Sequence, residues 1–283
     1  MVLFFRKKKK KRSKVKRRGV SKKKKTKQVK GKVVKAKRKL KRAKKIKMKV
    51  TKRVPKSKAK EKKIREVKKV TKLEFNKMDD EKAYALLKRY RVSVVPYTFC
   101  KDKKKLSSEV NKIGFPLVMK VSGGIIHKTE VKGVRLNIEN KEDAVKTFNE
   151  LMKIKGCEKV LIQKMVKDGY ELIVGAKRDP HFNSIVVLGA GGIFTELMKD
   201  VSFRVTPLSK FDAEQMLNEV KFSEIILKGF RGKKPADKDS IIETLLTVSR
   251  IIEKNKNIKE LDINPLFVTS KKSFAADVRI ILE

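Results

Sequence analysis

Glu260-Leu261-Asp262-Ile263-Asn264-Pro265, close to the C-terminus, alternates oxygen-bearing and aliphatic side chains. Successive residues of a strand point to opposite faces, so Glu260, Asp262 and Asn264 fall on one side and Leu261 and Ile263 on the other. The pattern predicts a strand over Ile258 to Val268 with one face for a core and one rich in oxygen. A second apolar segment, Phe274 to Leu282, carries Asp277, and a hairpin would set that carboxylate opposite the first strand. Two carboxylates and an amide oxygen are hard donors of the kind Mg²⁺ accepts when nucleotide phosphates complete its shell. A solvated polar strand face fits the same pattern, so this segment alone leaves the choice open.

Upstream, strands and helices intersperse. Asp79 and Asp80 start a helix in which Ala83, Leu86, Leu87 and Tyr90 recur at helical spacing, and Pro96 closes that unit. A strand over Leu117 to Val121 runs into a turn at Ser122-Gly123-Gly124. Asp143, Val145, Phe148, Leu151 and Met152 then predict an amphipathic helix ended by Gly156, where left-handed backbone favours glycine. Strands follow over Lys159 to Met165, Tyr170 to Lys177 and Ser184 to Leu188, then a turn at Gly189-Ala190-Gly191-Gly192. Helices over Asp212 to Val220 and Ser240 to Ile252 lead to the final strand pair. The order, with its late antiparallel hairpin, reads as α+β, or mixed α/β.

Composition separates this body from what precedes it. Of 283 residues, the first 72 hold 39 Lys or Arg against Glu61 and Glu66, a net +37; the remaining 211 hold 39 basic and 29 acidic residues, a net +10. Residues 1–72 have no aromatic after Phe5, cannot bury enough apolar surface to offset the entropy of ordering, and are expected to be a disordered tail. Lysine runs without interleaved aromatics suit sequence-blind phosphate neutralisation on RNA, DNA or another polyanion, and equally a solubilising role. No apolar run approaches the roughly 18–20 residues that span a bilayer, and Met1–Phe5 is too short for a signal-peptide core, so a cytoplasmic protein is expected. Cys100 and Cys157 show no paired spacing, and only His127 and His181 are present, which excludes cysteine- or histidine-based zinc sites and a disulfide framework.

Two glycine motifs fail on inspection. Gly189-Ala190-Gly191-Gly192-Ile193-Phe194 puts Phe194 where a dinucleotide fingerprint needs its third glycine. Gly232-Lys233 lacks the earlier glycine and the following Ser or Thr of a phosphate-wrapping P-loop.

Five further stretches occur in one order: Gly114-Phe115-Pro116-Leu117-Val118-Met119-Lys120; Ile126-His127-Lys128-Thr129-Glu130 on to Gly133-Val134; Glu171 to Pro180; Leu188 to Pro207; and Glu260 to Leu266. With them, residues 73–283 resemble the ATP-grasp β subunit of ADP-forming acyl-CoA (acetyl-CoA) synthetases, relatives of succinyl-CoA synthetase. The resemblance implies a two-lobed ATP-grasp fold, with a first lobe over 73–162 and a second over 163–283. It implies that Lys120 reaches nucleotide phosphates, that Gln163, Met165 and Val166 line an adenine pocket with Glu171 nearby, and that Asp262, Asn264 and Asp277 hold Mg²⁺. His127 would be the phosphoryl carrier, and ATP or ADP with Mg²⁺ the cofactors. Lys132 stands where relatives usually carry glycine, and Ser122-Gly123-Gly124 replaces a proline-and-acid loop.

No CoA-binding Rossmann domain is visible; in the family that the chain resembles it resides on a separate α subunit or a fused half, and the expected partner is a CoA-binding α subunit in a hetero-oligomer, possibly α2β2. The expected reaction interconverts acyl-CoA, ADP and phosphate with free acid, ATP and CoA through phosphohistidine. Two other classes remain: a polybasic nucleic-acid-binding protein with a degenerate ATP-grasp body, and an ATP-grasp carboxylate–amine ligase, in which His127 would have no role.

Overall fold

In the computed structural model, which describes residues 76–191 and 200–283, the strand read at Glu260 is an inner strand of a seven-stranded sheet. In chain order the strands are β1 (Asn76–Lys77), β2 (Tyr97–Cys100), β3 (Leu117–Gly123), β4 (Val134–Ile138), β5 (Cys157–Lys164), β6 (Tyr170–Asp179), β7 (Asn183–Ala190), β8 (Val201–Val205), β9 (Ile258–Val268), β10 (Ser273–Ala275) and β11 (Val278–Leu282). The helices are α1 (Asp80–Arg89), α2 (Lys103–Ile113), α3 (Lys141–Leu151), α4 (Lys210–Glu219), α5 (Lys221–Lys228) and α6 (Lys238–Lys254). The expectations for residues 1–72 and for Gly192 lie outside the described residues.

The larger sheet runs β1-β11-β9-β6-β7-β8 with β10 also on β9, and the smaller runs β2-β5-β3-β4; every ladder between these strands is antiparallel. This is the mixed α/β class expected from the sequence.

Amphipathic patterning fixes which face of each sheet is covered. Ile241, Ile242, Leu245, Val248, Ile251 and Ile252 of α6 are buried, and they meet Leu261, Ile263 and Leu266 of β9 and Leu172 and Val174 of β6 in one core. Burying one such side chain is worth about 1.5–3 kcal/mol. Because Leu261 and Ile263 face α6, Glu260, Asp262 and Asn264 are turned to the opposite side of the sheet. The smaller sheet has its own core, in which Leu106 and Val110 of α2 and Ala144, Phe148 and Leu151 of α3 cover Leu117, Met119, Val121, Val160 and Ile162. β1 pairs with β11, and Ala83, Tyr84 and Leu87 of α1 join the larger core.

Three local expectations are corrected. The third helix ends at Leu151 with Met152 as its C-cap, and a turn separates it from Gly156 (φ 88°), because the Ile154 N–H donates to Leu151 O at 3.0 Å and the Cys157 N–H to Ile154 O at 2.9 Å. Gly189 and Ala190 are not a turn but the end of β7, held by the ladder to β6 and β8. Asp277 is not in a strand: it occupies the break between β10 and β11, where its carbonyl accepts the Asn264 N–H at 3.2 Å. The sequence reading also passed over β2, β4, β8, α2 and α5; α2 (KKKLSSEVNKI) buries only Leu106 and Val110, too narrow a stripe to stand out.

Candidate functional site

Two cavities lie along the oxygen-bearing side of β9 and share Thr129, Asn264 and Asp277 in their walls. One, of about 380 Å³, is lined also by Lys77, His127, Lys128, Glu130, Asp262 and Arg279. The other, of about 360 Å³, is lined also by Val118, Lys120, Gln163, Met165, Val166, Glu171 and Phe267. The structure thus brings every residue singled out for the site into one of two adjoining spaces, with Asn264 and Asp277 at the junction.

The second space has an apolar wall suited to a planar base and a polar floor. Val118, Met165, Val166 and Phe267 supply the wall, and the Met165 N–H is tied to Pro116 O at 3.0 Å. Gln163 is buried and donates from Nε2 to the Tyr84 hydroxyl (3.1 Å), which in turn donates to Ala276 O (2.9 Å). Lys120, on β3, is also buried and donates to the same Ala276 carbonyl at 2.7 Å. Burial lowers the Lys120 ammonium below the usual lysine range, with Asp277 pulling the other way. Glu171 is exposed at the rim, and its carbonyl accepts the Gly191 N–H at 2.8 Å. A Cβ on Gly191 would stand 2.7 Å from that oxygen, so close backbone approach, and not phosphate wrapping, is what this glycine of the rejected fingerprint serves.

His127 is exposed into the first space on the segment joining β3 to β4. Gly133 closes the loop behind it: its N–H donates to Lys128 O at 2.7 Å, its carbonyl accepts the Val121 N–H at 2.8 Å, and a Cβ there would meet Val121 Cγ2 at 2.4 Å. Lys132, at the position read as a departure, has φ 52°, the left-handed region that favours glycine. Among the described residues no hydrogen bond joins Glu130 to the His127 ring. His181 sits in the β6–β7 turn, its N–H bound to Asp179 Oδ1 at 2.8 Å, away from both cavities.

The acidic face carries its own counter-charges, and the sequence reading missed them. Arg279 is the cross-strand partner of Asp262 and lies 2.6 Å from Glu260 Oε1 and 3.6 Å from Asp262 Oδ2. Burial raises the Asp262 carboxyl above the usual range, with Arg279 opposing. Lys128 Nζ is 2.8 Å from Asp277 Oδ1 and 3.6 Å from Asp80 Oδ1. Burial alone would raise the Asp277 carboxyl, but the Lys128 and Lys120 charges outweigh it and hold the group below its usual range. Arg279 was legible by alternation, two residues beyond Asp277. Lysine at 233, dismissed with the P-loop, lines the second space and donates to Gly169 O at 2.8 Å. Nothing local to the sequence announces the Lys128–Asp80 contact.

The donor set fits a cation held jointly with phosphate. Among the described residues no group of three or more His, Cys, Asp or Glu side chains gathers to hold a metal by itself, so water or phosphate oxygens would complete a shell. Asp262 and Asp277 keep 26% and 21% of their side-chain surface open, and the buried Nε–H of Arg279, in the same lining, has no protein acceptor and is left for an anion.

The model of the ATP-grasp domain family matches residues 69–282. The ADP-forming acetate–CoA ligase I subunit beta of Pyrococcus furiosus is 38% identical over 226 residues, 77% of this chain and 97% of that one. The chain belongs to the ATP-grasp family of ADP-forming acetate–CoA ligase β subunits. It spans about 30% of the length of another relative, the ADP-forming acetate–CoA ligase II of Archaeoglobus fulgidus, at 38% identity over 204 residues and 72% of this chain. Among solved structures, the dinucleotide forming acetyl-coenzyme A synthetase 1 of Ca. Korarchaeum cryptofilum, in complex with coenzyme A and Ca-AMPCP, aligns with a TM-score of 0.68 at 36% identity, covering 74% of this chain and 94% of that chain. The same enzyme with Mg-AMPPCP, its phosphohistidine segment pointing towards the nucleotide binding site, aligns at 0.64 and 36%, covering 74% and 93%. No described helix is long and apolar enough to cross a membrane.

Proposed function

We propose that this ATP-grasp chain is the nucleotide-binding β subunit of an ADP-forming acyl-CoA synthetase and that His127 carries the phosphoryl group. The observation that carries this reading is the shared wall: the space containing His127 and the space containing Lys120, Gln163, Met165 and Val166 meet at Thr129, Asn264 and Asp277. A nucleotide with its base against Met165, Val166 and Phe267 would extend its phosphates past Lys120 towards Asn264 and Asp277, bringing the terminal phosphorus to the imidazole. Asp262, Asn264 and Asp277 would hold Mg²⁺ together with phosphate oxygens, and the ion would supply neutralising charge for the transferring group. A ring nitrogen of His127 attacks phosphorus; the N–P bond forms as the bond to the bridging oxygen breaks, and ADP departs. Lys120 and Arg279 would stabilise the charge that develops. The phosphoryl group then passes to a CoA-binding α subunit, and the reverse sequence makes ATP from acyl-CoA, phosphate and ADP. The P. furiosus relative's name supports the β-subunit role, and the Mg-AMPPCP complex of the Korarchaeum enzyme supports the cofactor. A carboxylate–amine ligase would leave His127 idle.

The experiment is labelling with radiolabelled ATP and Mg²⁺, followed by peptide mapping. An acid-labile, base-stable label on His127, absent in His127→Ala with nucleotide binding retained, is expected. Label on His181, on a carboxylate or nowhere, or full turnover by His127→Ala with its partner, would remove the role.

An α2β2 assembly and a sequence-blind polyanion contact through residues 1–72 complete the proposal. If that contact neutralises about eight phosphates, log K for duplex DNA falls with log[salt] at a slope near −7. Equal DNA affinity in a chain lacking residues 1–72 would sink the contact.

A further inference from the structure

The metal reading above assigns Asp277 to a cation, yet in the structure Asp277 already has one. Lys128 Nζ lies 2.8 Å from Asp277 Oδ1 and only 3.6 Å from Asp80 Oδ1, and its side chain is 7% exposed. Asp80 is itself buried at 1%, opens α1 in the larger sheet's layer, and is held by Lys77 Nζ at 2.9 Å and by the Ser122 hydroxyl at 2.6 Å. So one ammonium, fixed at the base of the His127 loop by the Lys128 O–Gly133 N–H bond, stands between two carboxylates of which only one faces the cavity. Two cations share a ligand badly at this range: a divalent cation at Asp277 would face the ammonium across a few ångströms of low-dielectric interior.

We propose that Lys128 is a positioning residue for metal loading: its ammonium and the divalent cation compete for Asp277, and Asp80 receives the ammonium when the cation wins. Asp80 is suited to that part because it keeps Lys77 and Ser122 as partners in either arrangement. The loop bearing His127 is therefore tied to Asp277 by Lys128 until the cation displaces it. This rests on the metal reading of Asp277, and the test separates the two.

The probe is Mn²⁺ without nucleotide, titrated into the full chain with free Mn²⁺ read by electron paramagnetic resonance. If the ammonium occupies Asp277 about nine-tenths of the time, Lys128→Met binds Mn²⁺ about tenfold more tightly than the wild type. Lys128→Arg, which keeps the charge, restores the weaker binding. Asp80→Asn acts in the opposite direction, because the ammonium loses its alternative acceptor, and in the double variant with Lys128→Met that effect disappears. The retained Lys77 pairing gives Asp80 a partner in Lys128→Met, and thermal melts of each variant check folding. Unchanged or weaker Mn²⁺ binding by folded Lys128→Met, or an Asp80→Asn effect that persists without Lys128, overturns the competition. Mn²⁺ binding that survives Asp277→Asn in the Lys128→Met background overturns the metal reading instead.

Discussion

Asp262 and Arg279 are direct partners across the β9–β11 pair, with their charged atoms 3.6 Å apart. The guanidinium lies closer still to Glu260, at 2.6 Å, so the oxygen-rich face of β9 is partly neutralised by its neighbour strand. Removing a part-buried partner strands the remaining charges. Arg279→Met is expected to destabilise the protein by about 2 kcal/mol, the scale of a charge-assisted hydrogen bond. Added Mg²⁺ should recover more stability in the variant than in the wild type. Thermal melts with and without Mg²⁺ check this; a variant melting with the wild type would show that Arg279 leaves Glu260 and Asp262 unaffected.

Asn264 and Asp277 stand where the two cavities meet. Asn264→Ala and Asp277→Ala should each weaken Mg²⁺-dependent ADP binding by at least about tenfold, the loss typical of disturbed metal sites, while Mg²⁺-independent binding changes less. Calorimetry with and without Mg²⁺ decides it, and unaltered affinities would remove the metal role.

Lys132 holds φ 52° in the loop behind His127. A side chain in left-handed backbone costs roughly 1–2 kcal/mol, and glycine returns part of that as unfolded-state entropy. Lys132→Gly should therefore raise stability by up to about 1 kcal/mol. A lower melting temperature would mean that the Lys132 side chain contributes more than its backbone strain.

Asp79 caps α1, accepting the Glu81 and Lys82 N–H groups, and pairs with Lys159 Nζ at 2.9 Å. Burial pushes its carboxyl up, but the Lys159 and backbone hydrogen bonds outweigh this and hold it below its usual value of 3.8. A lowered carboxylate contributes stability above its unfolded pKa and loses it as pH falls through the folded value. Asp79→Ala should cost about 1 kcal/mol at neutral pH, and the gap to the wild type should narrow below pH 3.8. Chemical melts from neutral to acid pH measure it; a gap constant into strong acid would exclude the ionised carboxylate as its cause.

Sequence by itself determined what depends on neighbours along the chain. The alternation at Glu260 to Asn264 fixed which side of β9 meets α6, because strand side chains alternate whatever the strand pairs with. The 3.6-residue spacing in α1 marked its buried face for the same local reason, and the ordered motifs pointed to the residues that now line two adjoining cavities. Tertiary structure decided what depends on distant partners. That Asp277 sits in a break beside Asn264, that Arg279 faces Asp262, and that Lys128 lies between Asp80 and Asp277 follow from strand register and lobe packing. The Lys128 contacts span 48 and 149 positions of chain, and a charge pair formed over such separations is chosen by how the folded surfaces meet, leaving no periodicity to read.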